Sequence, residues 1–251
     1  MTRFLVILSL ILFYFVLGWI TPTIFNPIFF PNPFDVILSL KSMFENGMIL
    51  NGLLYSFSRI TIATLLAICI STPIGIIAGV NPKIEKLITP ITGSFRYIPV
   101  TALFPLLIMW FGIGEEMKIM FLFIAVFFFF LPTVLNEVKN VDQDLIETAY
   151  TMGMNKFQTI LHVICPAIMP TLCQSFITMY GIGWTYVIIA EVINAQQGIG
   201  FLLNIAAARG RTDIVFGVLL IVILFSYIFD TLGNKIIKYK FSWKFLKQVK
   251  D

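Results

Sequence analysis

Long apolar runs separated by short polar breaks dominate the chain. They cover residues 4–20, 53–80, 87–111, 118–138, 168–192 and 214–237. A helix crosses a bilayer with about 20 mostly apolar residues, so the pattern predicts about six transmembrane helices in an all-α integral membrane protein. The first run follows Met1-Thr2-Arg3 and no A-x-A-like site comes after it, so it reads as an uncleaved span. Between the first two runs, Pro22, Pro27, Pro31 and Pro33 exclude a regular helix. Beyond Pro33, Val36, Ile37, Leu40, Met43 and Phe44 recur at helical spacing between Asp35, Lys41 and Glu45, which predicts a short amphipathic helix at the interface. Arg96 and Pro99 interrupt the third run, and Pro132 is expected to kink the fourth.

Composition agrees with this pattern. Of 251 residues, 59% are hydrophobic, 15% aromatic and only 12% charged. Soluble domains carry about 25% charged residues, so a soluble enzyme, a disordered chain and a nucleic-acid-binding domain are excluded. Cys69, Cys165 and Cys173 form no CxxC pair, and the lone His162 has no ligand-type neighbours, so no metal site and no catalytic constellation is expected. With six spans both termini share one side. If that side is the cytoplasm, eleven Lys and Arg lie in inside segments and four in outside segments, which favours both termini cytoplasmic. Six of the eleven come from the lysine-rich tail, which can also anchor at anionic membrane lipid.

The polar segment between the fourth and fifth runs carries the most information. Asp144 and Glu147 have capping-box spacing, and Leu145, Ile146, Ala149 and Met152 form an apolar stripe. Gly153 stands where a left-handed helix C-cap is expected. Asn155 can cap a second helix with Phe157, Ile160, Leu161 and Ile164 on one face, and Pro166 marks the junction with the fifth span. The prediction is helix, glycine turn, helix, just outside the membrane and suited to docking in a partner's groove.

Glu147-Thr148-Ala149, then Gly153, then Val163-Ile164-Cys165-Pro166 resembles the E-A-A, three residues, G, nine residues, I-x-L-P pattern of ABC importer permeases. Glu147, Ala149, Gly153 and Pro166 match, while Thr148, Val163 and Cys165 depart by similarly sized residues. The stretches Arg96 to Pro105 and Leu107 to Gly114, with Val141-Asp142, Ala190-Glu191 and Gly198-Ile199-Gly200, are similar to the nitrate/sulfonate/taurine branch. The resemblance covers about residues 50 to 235.

That resemblance implies a type I ABC importer permease fold with a cytoplasmic coupling helix between spans 4 and 5. It implies a single transmembrane domain over residues 1–251: span 4–20, extracytoplasmic segment 21–51, permease core 52–237 and basic cytoplasmic tail 238–251. The implied partners are two cytoplasmic ATPase subunits, an extracytoplasmic substrate-binding protein and a second permease copy in a homodimer, in a bacterial inner membrane. The chain has no Gly-x4-Gly-Lys-Ser/Thr loop, so it would hold no cofactor, and ATP and Mg would bind the partner ATPase. Glu147, Ala149, Gly153 and Pro166 would couple to that ATPase. Substrates implied are small anions such as nitrate, sulfonates, taurine or bicarbonate, or thiamine- and riboflavin-related heterocycles.

Arg96, Trp184 and Glu191 are candidates for the pathway or gate. Arg96 either attracts an anionic substrate or satisfies carbonyls freed at Pro99. The plainer reading of Trp184 is packing or an interfacial place rather than the pathway. Glu191 could contact the binding protein, pair with Arg209 or Arg211, or shape the outer gate beside a flexible Gln196 to Gly200 loop. Arg59, near the start of span 2, is expected to snorkel to the interface. The alternative function is an ion-gradient-driven carrier using Asp230 or Glu137, and no inverted repeat supports it. A membrane-embedded enzyme would need a His, Asp or Cys cluster that the chain lacks.

Overall fold

The computed structural model describes residues 9, 12, 30–95 and 97–245. Apart from residues 9 and 12, the predicted span 4–20 lies outside the described residues, as do Arg96 and the end of the tail, 246–251. All regular structure among the described residues is helical. In chain order the helices are α1 (Pro33–Glu45), α2 (Met48–Val80), α3 (Pro82–Phe95), α4 (Phe104–Phe111), α5 (Glu115–Lys139), α6 (Gln143–Thr151), α7 (Lys156–Ile193), α8 (Ile199–Ala208), α9 (Thr212–Lys240) and α10 (Ser242–Phe245).

Among the described residues, α2, α5, α7 and α9 are long and apolar enough to cross a membrane. A fifth crossing results if α3 and the Val100–Phe111 segment, bent by 90° at their break, count as one. The predicted span 87–111 is therefore two pieces. Pro99 lacks an N–H, and the residue before a proline is pushed out of the helical region. After one tight turn at Val100–Leu103, Pro105 falls at the start of α4, where its missing donor costs nothing.

The predicted boundary at Pro166 is also revised. The short helix expected after Asn155 and the span expected over 168–192 are one element, α7, which passes through Pro166 and Pro170. A wide turn at Ile160–Ile164, with Cys165 N–H donating to the Ile160 carbonyl, precedes Pro166. Widening the turn there accommodates a residue with no N–H to donate and a ring that crowds the preceding turn.

The described residues fall into two compact units. One comprises those up to Phe57 with Ile188–Phe225; the other comprises Ser58–Val187 and those from Ser226 onward. In the first, α1 is the predicted amphipathic helix, with the Asn32 side chain accepting from Phe34 N–H. Its buried stripe is Val36, Ser39 and Met43, whereas Ile37 and Phe44 face out. Gly217 on α9 lets Leu40 approach closely: a Cβ there would lie 3.0 Å from Leu40.

In the second unit, the core runs through Ala67, Val126, Phe130, Val134, Val138, Ile164, Ile168 and Leu172. Small residues one helical turn apart, Gly75 and Gly79, bring α2 against α5. A Cβ on Gly75 would sit 2.7 Å from Val134, and one on Gly79 2.6 Å from Val138. Such small-residue contacts let backbones approach where lipid supplies no hydrophobic drive between helices. Lys139 at the end of α5 pairs with Glu85 at the start of α3, at 2.6 Å.

Gly79→Leu is expected to lower the stability of the detergent-solubilised protein by about 1–3 kcal/mol through overpacking. Gly93→Ala, where a Cβ meets nothing within 4 Å, is expected to leave it unchanged or slightly raised. Unfolding midpoints by intrinsic fluorescence check the contrast; equal effects of the two would contradict the contact.

Candidate functional site

Helix α6 is set by its two ends. Asp142, not Asp144, is the N-cap: its carboxylate accepts from Asp144 N–H at 3.1 Å. The cap lies two residues before the predicted position because Val141, tucked into the core, ends the α5 connection there. At the other end Gly153 has φ +83°, as predicted. Its N–H donates to the Tyr150 carbonyl at 2.9 Å, and Met154 N–H donates to the Ala149 carbonyl at 3.0 Å. That pair of bonds is the Schellman closure, which satisfies the last carbonyls of a short helix. A Cβ on Gly153 meets nothing, so the requirement for glycine is purely the backbone angle. The next helix starts as predicted: Asn155 and Gln158 cap each other reciprocally, both bonds at 2.9 Å.

The matched residues of this segment separate by role. Ala149 is buried, 3% exposed, and Ile146 packs against the core, so one face of α6 is seated on Ile160 and Ile164. Glu147 lies on the exposed face. Around it Leu145, Tyr150, Met152 (73% exposed), Phe157 (72% exposed) and Leu161 stand out from the surface. Pro166 lies inside α7, just past its wide turn. The element is a short helix locked at both ends, apolar both beneath and on its outer side.

Of the candidate pathway residues, Glu191 and Trp184 lie among the described residues. Glu191 is 1% exposed. The Ser56 hydroxyl donates to its carboxylate at 2.7 Å, and Gly200 N–H donates at 2.8 Å. Ser56 in turn accepts from Ile199 N–H at 2.9 Å. The carboxylate thus closes the amino terminus of α8, where unpaired N–H groups and the helix dipole favour negative charge. Glycine is required around it: a Cβ on Gly200 would lie 2.5 Å from the Ile188 carbonyl oxygen, and Gly198 has φ +127° against the carboxylate. This corrects the expected pairing with Arg209 or Arg211; the expected loop is non-helical through Gly198, and α8 begins at Ile199. Arg211 pairs instead with Asp213 at 2.7 Å, which raises its pKa, while Ser39 donates to Asp213. Burial turns the Glu191 side chain into its own unit rather than to the surface.

Arg59 does not snorkel. It is 3% exposed and grips Glu115 with two nitrogens, Nε at 2.5 Å and a terminal nitrogen at 2.7 Å. Buried Lys118 donates to the same carboxylate at 2.8 Å. Sequence reasoning missed Ser56, Glu115 and Lys118 as partners. The available signal was charge balance: an arginine inside an apolar run needs a carboxylate, and Glu115 opens the long apolar helix α5. Trp184 is buried, 3% exposed, as packing predicts. Arg96 lies outside the described residues. No group of three metal-ligating side chains occurs among the described residues.

Replacing Ser56 with Ala strips a donor from a buried carboxylate and an acceptor from Ile199 N–H. The expected loss is about 1.5–3 kcal/mol, the range for a hydrogen bond to a charged group. Denaturant midpoints in detergent check it, and an unchanged midpoint would remove the carboxylate from the account of α8.

Comparison with known proteins places this architecture. The taurine transport system permease protein TauC of Escherichia coli (strain K12) is 29% identical over 215 residues, covering 84% of this chain and 78% of TauC. SsuC of Bacillus subtilis (strain 168), a permease protein named for aliphatic sulfonates transport, is 28% identical over 218 residues, 85% of this chain and 79% of its own length. A chain of the inward-facing MetNI methionine ABC transporter shares the fold, with a TM-score of 0.70 at 20% identity, covering 76% of this chain and 95% of that one. A family model described as binding-protein-dependent transport system inner membrane component matches residues 71–238, more than half of the chain. The protein therefore belongs to the family of binding-protein-dependent transport system inner membrane components, the permease subunits of ABC importers.

Proposed function

We propose that α6 and the first turns of α7 form the coupling element through which a cytoplasmic ATPase drives this permease. The supporting observation is the surface of that element. Leu145, Tyr150, Met152, Phe157 and Leu161 project from a helix whose opposite face, through Ala149 and Ile146, is seated on the core. Displacement of such a helix by a partner moves α5 and α7, to which it is joined. Glu147 adds a charge at the centre of the exposed face, and Gly153 holds the angle at which the helix is presented. Pro166, at the wide turn of α7, keeps the connection to the span from being an unbroken α-helical ladder. ATP and Mg bind the partner, and this chain contributes no catalytic group and no cofactor.

Around this element the permease is read as one transmembrane domain with about six spans. Residues 4–20 supply the first, and α3 with α4 the bent third. Both termini and α6 face the cytoplasm, supported by the lysines at the end of α9 and by Lys83, Lys86, Lys139 and Lys156 flanking the neighbouring helix ends. Two copies of the chain form the pathway with two ATPase subunits. A binding protein delivers a small anion of the sulfonate or taurine class, as the names of the similar permeases suggest. Arg96 and Trp184 remain candidates for the pathway, and Glu191 acts on it by fixing α8.

Glu147→Lys and Gly153→Pro are each expected to reduce ATPase co-purification and substrate-stimulated ATP hydrolysis by about tenfold or more, the effect of losing a central interface contact. Both proteins should still insert in the membrane. Wild-type levels of both readouts in the two variants would overturn the coupling assignment.

A further inference from the structure

An apolar groove of about 700 Å³ runs along the second unit, between α2, α7 and α9. Leu65 and Ile68 line it from α2, Leu172 and Cys173 from α7, and Leu232 and Ile236 from α9. All three helices are candidate membrane spans. Leu232 and Ile236 are largely exposed, so the groove opens outward along its α9 wall.

One end of the groove is strongly basic. Lys240 lies four residues beyond Ile236 and eight beyond Leu232, which continues the same helical face past the apolar lining. It is within Coulombic reach of Cys173 on the groove wall. Lys244 donates to the hydroxyl of Thr171, next to Leu172, and so is held at the same mouth from the α7 side. No Asp or Glu occurs between Thr231 and Phe245. Tyr239 and Trp243 stand exposed beside these lysines, the placement of aromatic side chains at a membrane–water boundary.

An apolar trough at hydrocarbon depth that ends in paired lysines at headgroup depth has the polarity of one molecule. We propose that it is a binding site for an anionic phospholipid, with an acyl chain in the groove and the phosphate between Lys240 and Lys244. Basic pockets between membrane helices select anionic headgroups by charge. A second copy of this chain is the weaker occupant. A two-fold pairing through this face, about an axis along the membrane normal, would set hollow against hollow and lysine against lysine.

The test uses the full-length chain, purified with its accompanying subunits and placed in nanodiscs of phosphatidylcholine with phosphatidylglycerol. After delipidation, retained phospholipid is identified by native mass spectrometry. Wild type is expected to keep phosphatidylglycerol in preference to phosphatidylcholine. K240Q/K244Q is expected to lower that preference roughly thirtyfold, from two headgroup contacts. Lys238→Gln, on the opposite face of α9, removes a charge without changing it. Leu232→Trp fills the groove and is expected to displace phospholipid of either kind. Undiminished preference in K240Q/K244Q, or undiminished lipid in Leu232→Trp, would overturn the site. So would disulfide cross-linking of Leu232→Cys to the same position in a second copy, which would assign the face to a protein interface.

Discussion

Polar groups out of water must find partners within the chain, and that constraint organises everything around the apolar bulk of this protein. A buried carboxylate without donors is costly. Glu191 resolves it with Ser56 and the amino terminus of α8. Arg59 resolves the opposite problem with Glu115, which also takes Lys118. Each network ties elements distant in sequence: Ser56 and Glu191 are 135 positions apart, Arg59 and Glu115 are 56. Where lipid-like surroundings give helices no hydrophobic reason to associate, such contacts and the close glycine packing of α2 on α5 carry specificity.

Charges spent inside the fold are unavailable for work on a partner. Glu191, Arg59, Glu115, Lys118, Arg211 and Asp213 are all engaged within the protein. Glu147 differs: it sits on a short helix fixed at both ends, amid exposed apolar side chains, outside the candidate spans. An interface needs a rigid, partly apolar platform with a few charges to set register. Among the described helices outside the spans, α6 has this combination together with a firm seat on the core.

Much of α6 was legible in the sequence because its determinants are local. Gly153 needs a left-handed backbone, and Asn155 caps with Gln158 three residues on; both follow from neighbours in the chain. The apolar runs were legible for the same reason, since length and hydropathy alone mark α2, α5, α7 and α9. The misreadings concern choices that only tertiary contacts decide. Asp142 and Asp144 are equally good caps on paper, and the burial of Val141 selects the first. Arg59 reads as a snorkelling arginine until Glu115 is brought beside it. The run of Gly and Gln before residue 199 is a loop as it reads, but nothing local to it shows that Glu191 meets the helix that starts directly after it. Pro166 reads as a helix boundary, but a single wide turn lets α7 continue through it.

The central claim is that α6 and the start of α7 meet an ATPase. A photo-cross-linking amino acid at position 152, introduced into the complex in its native membrane, tests it most directly. The account predicts a cross-link to the ATPase subunit from position 152, and none from position 38 on α1, which is also exposed and apolar. A transport-competent complex that shows no ATPase cross-link from position 152, or shows one from position 38 instead, would contradict it.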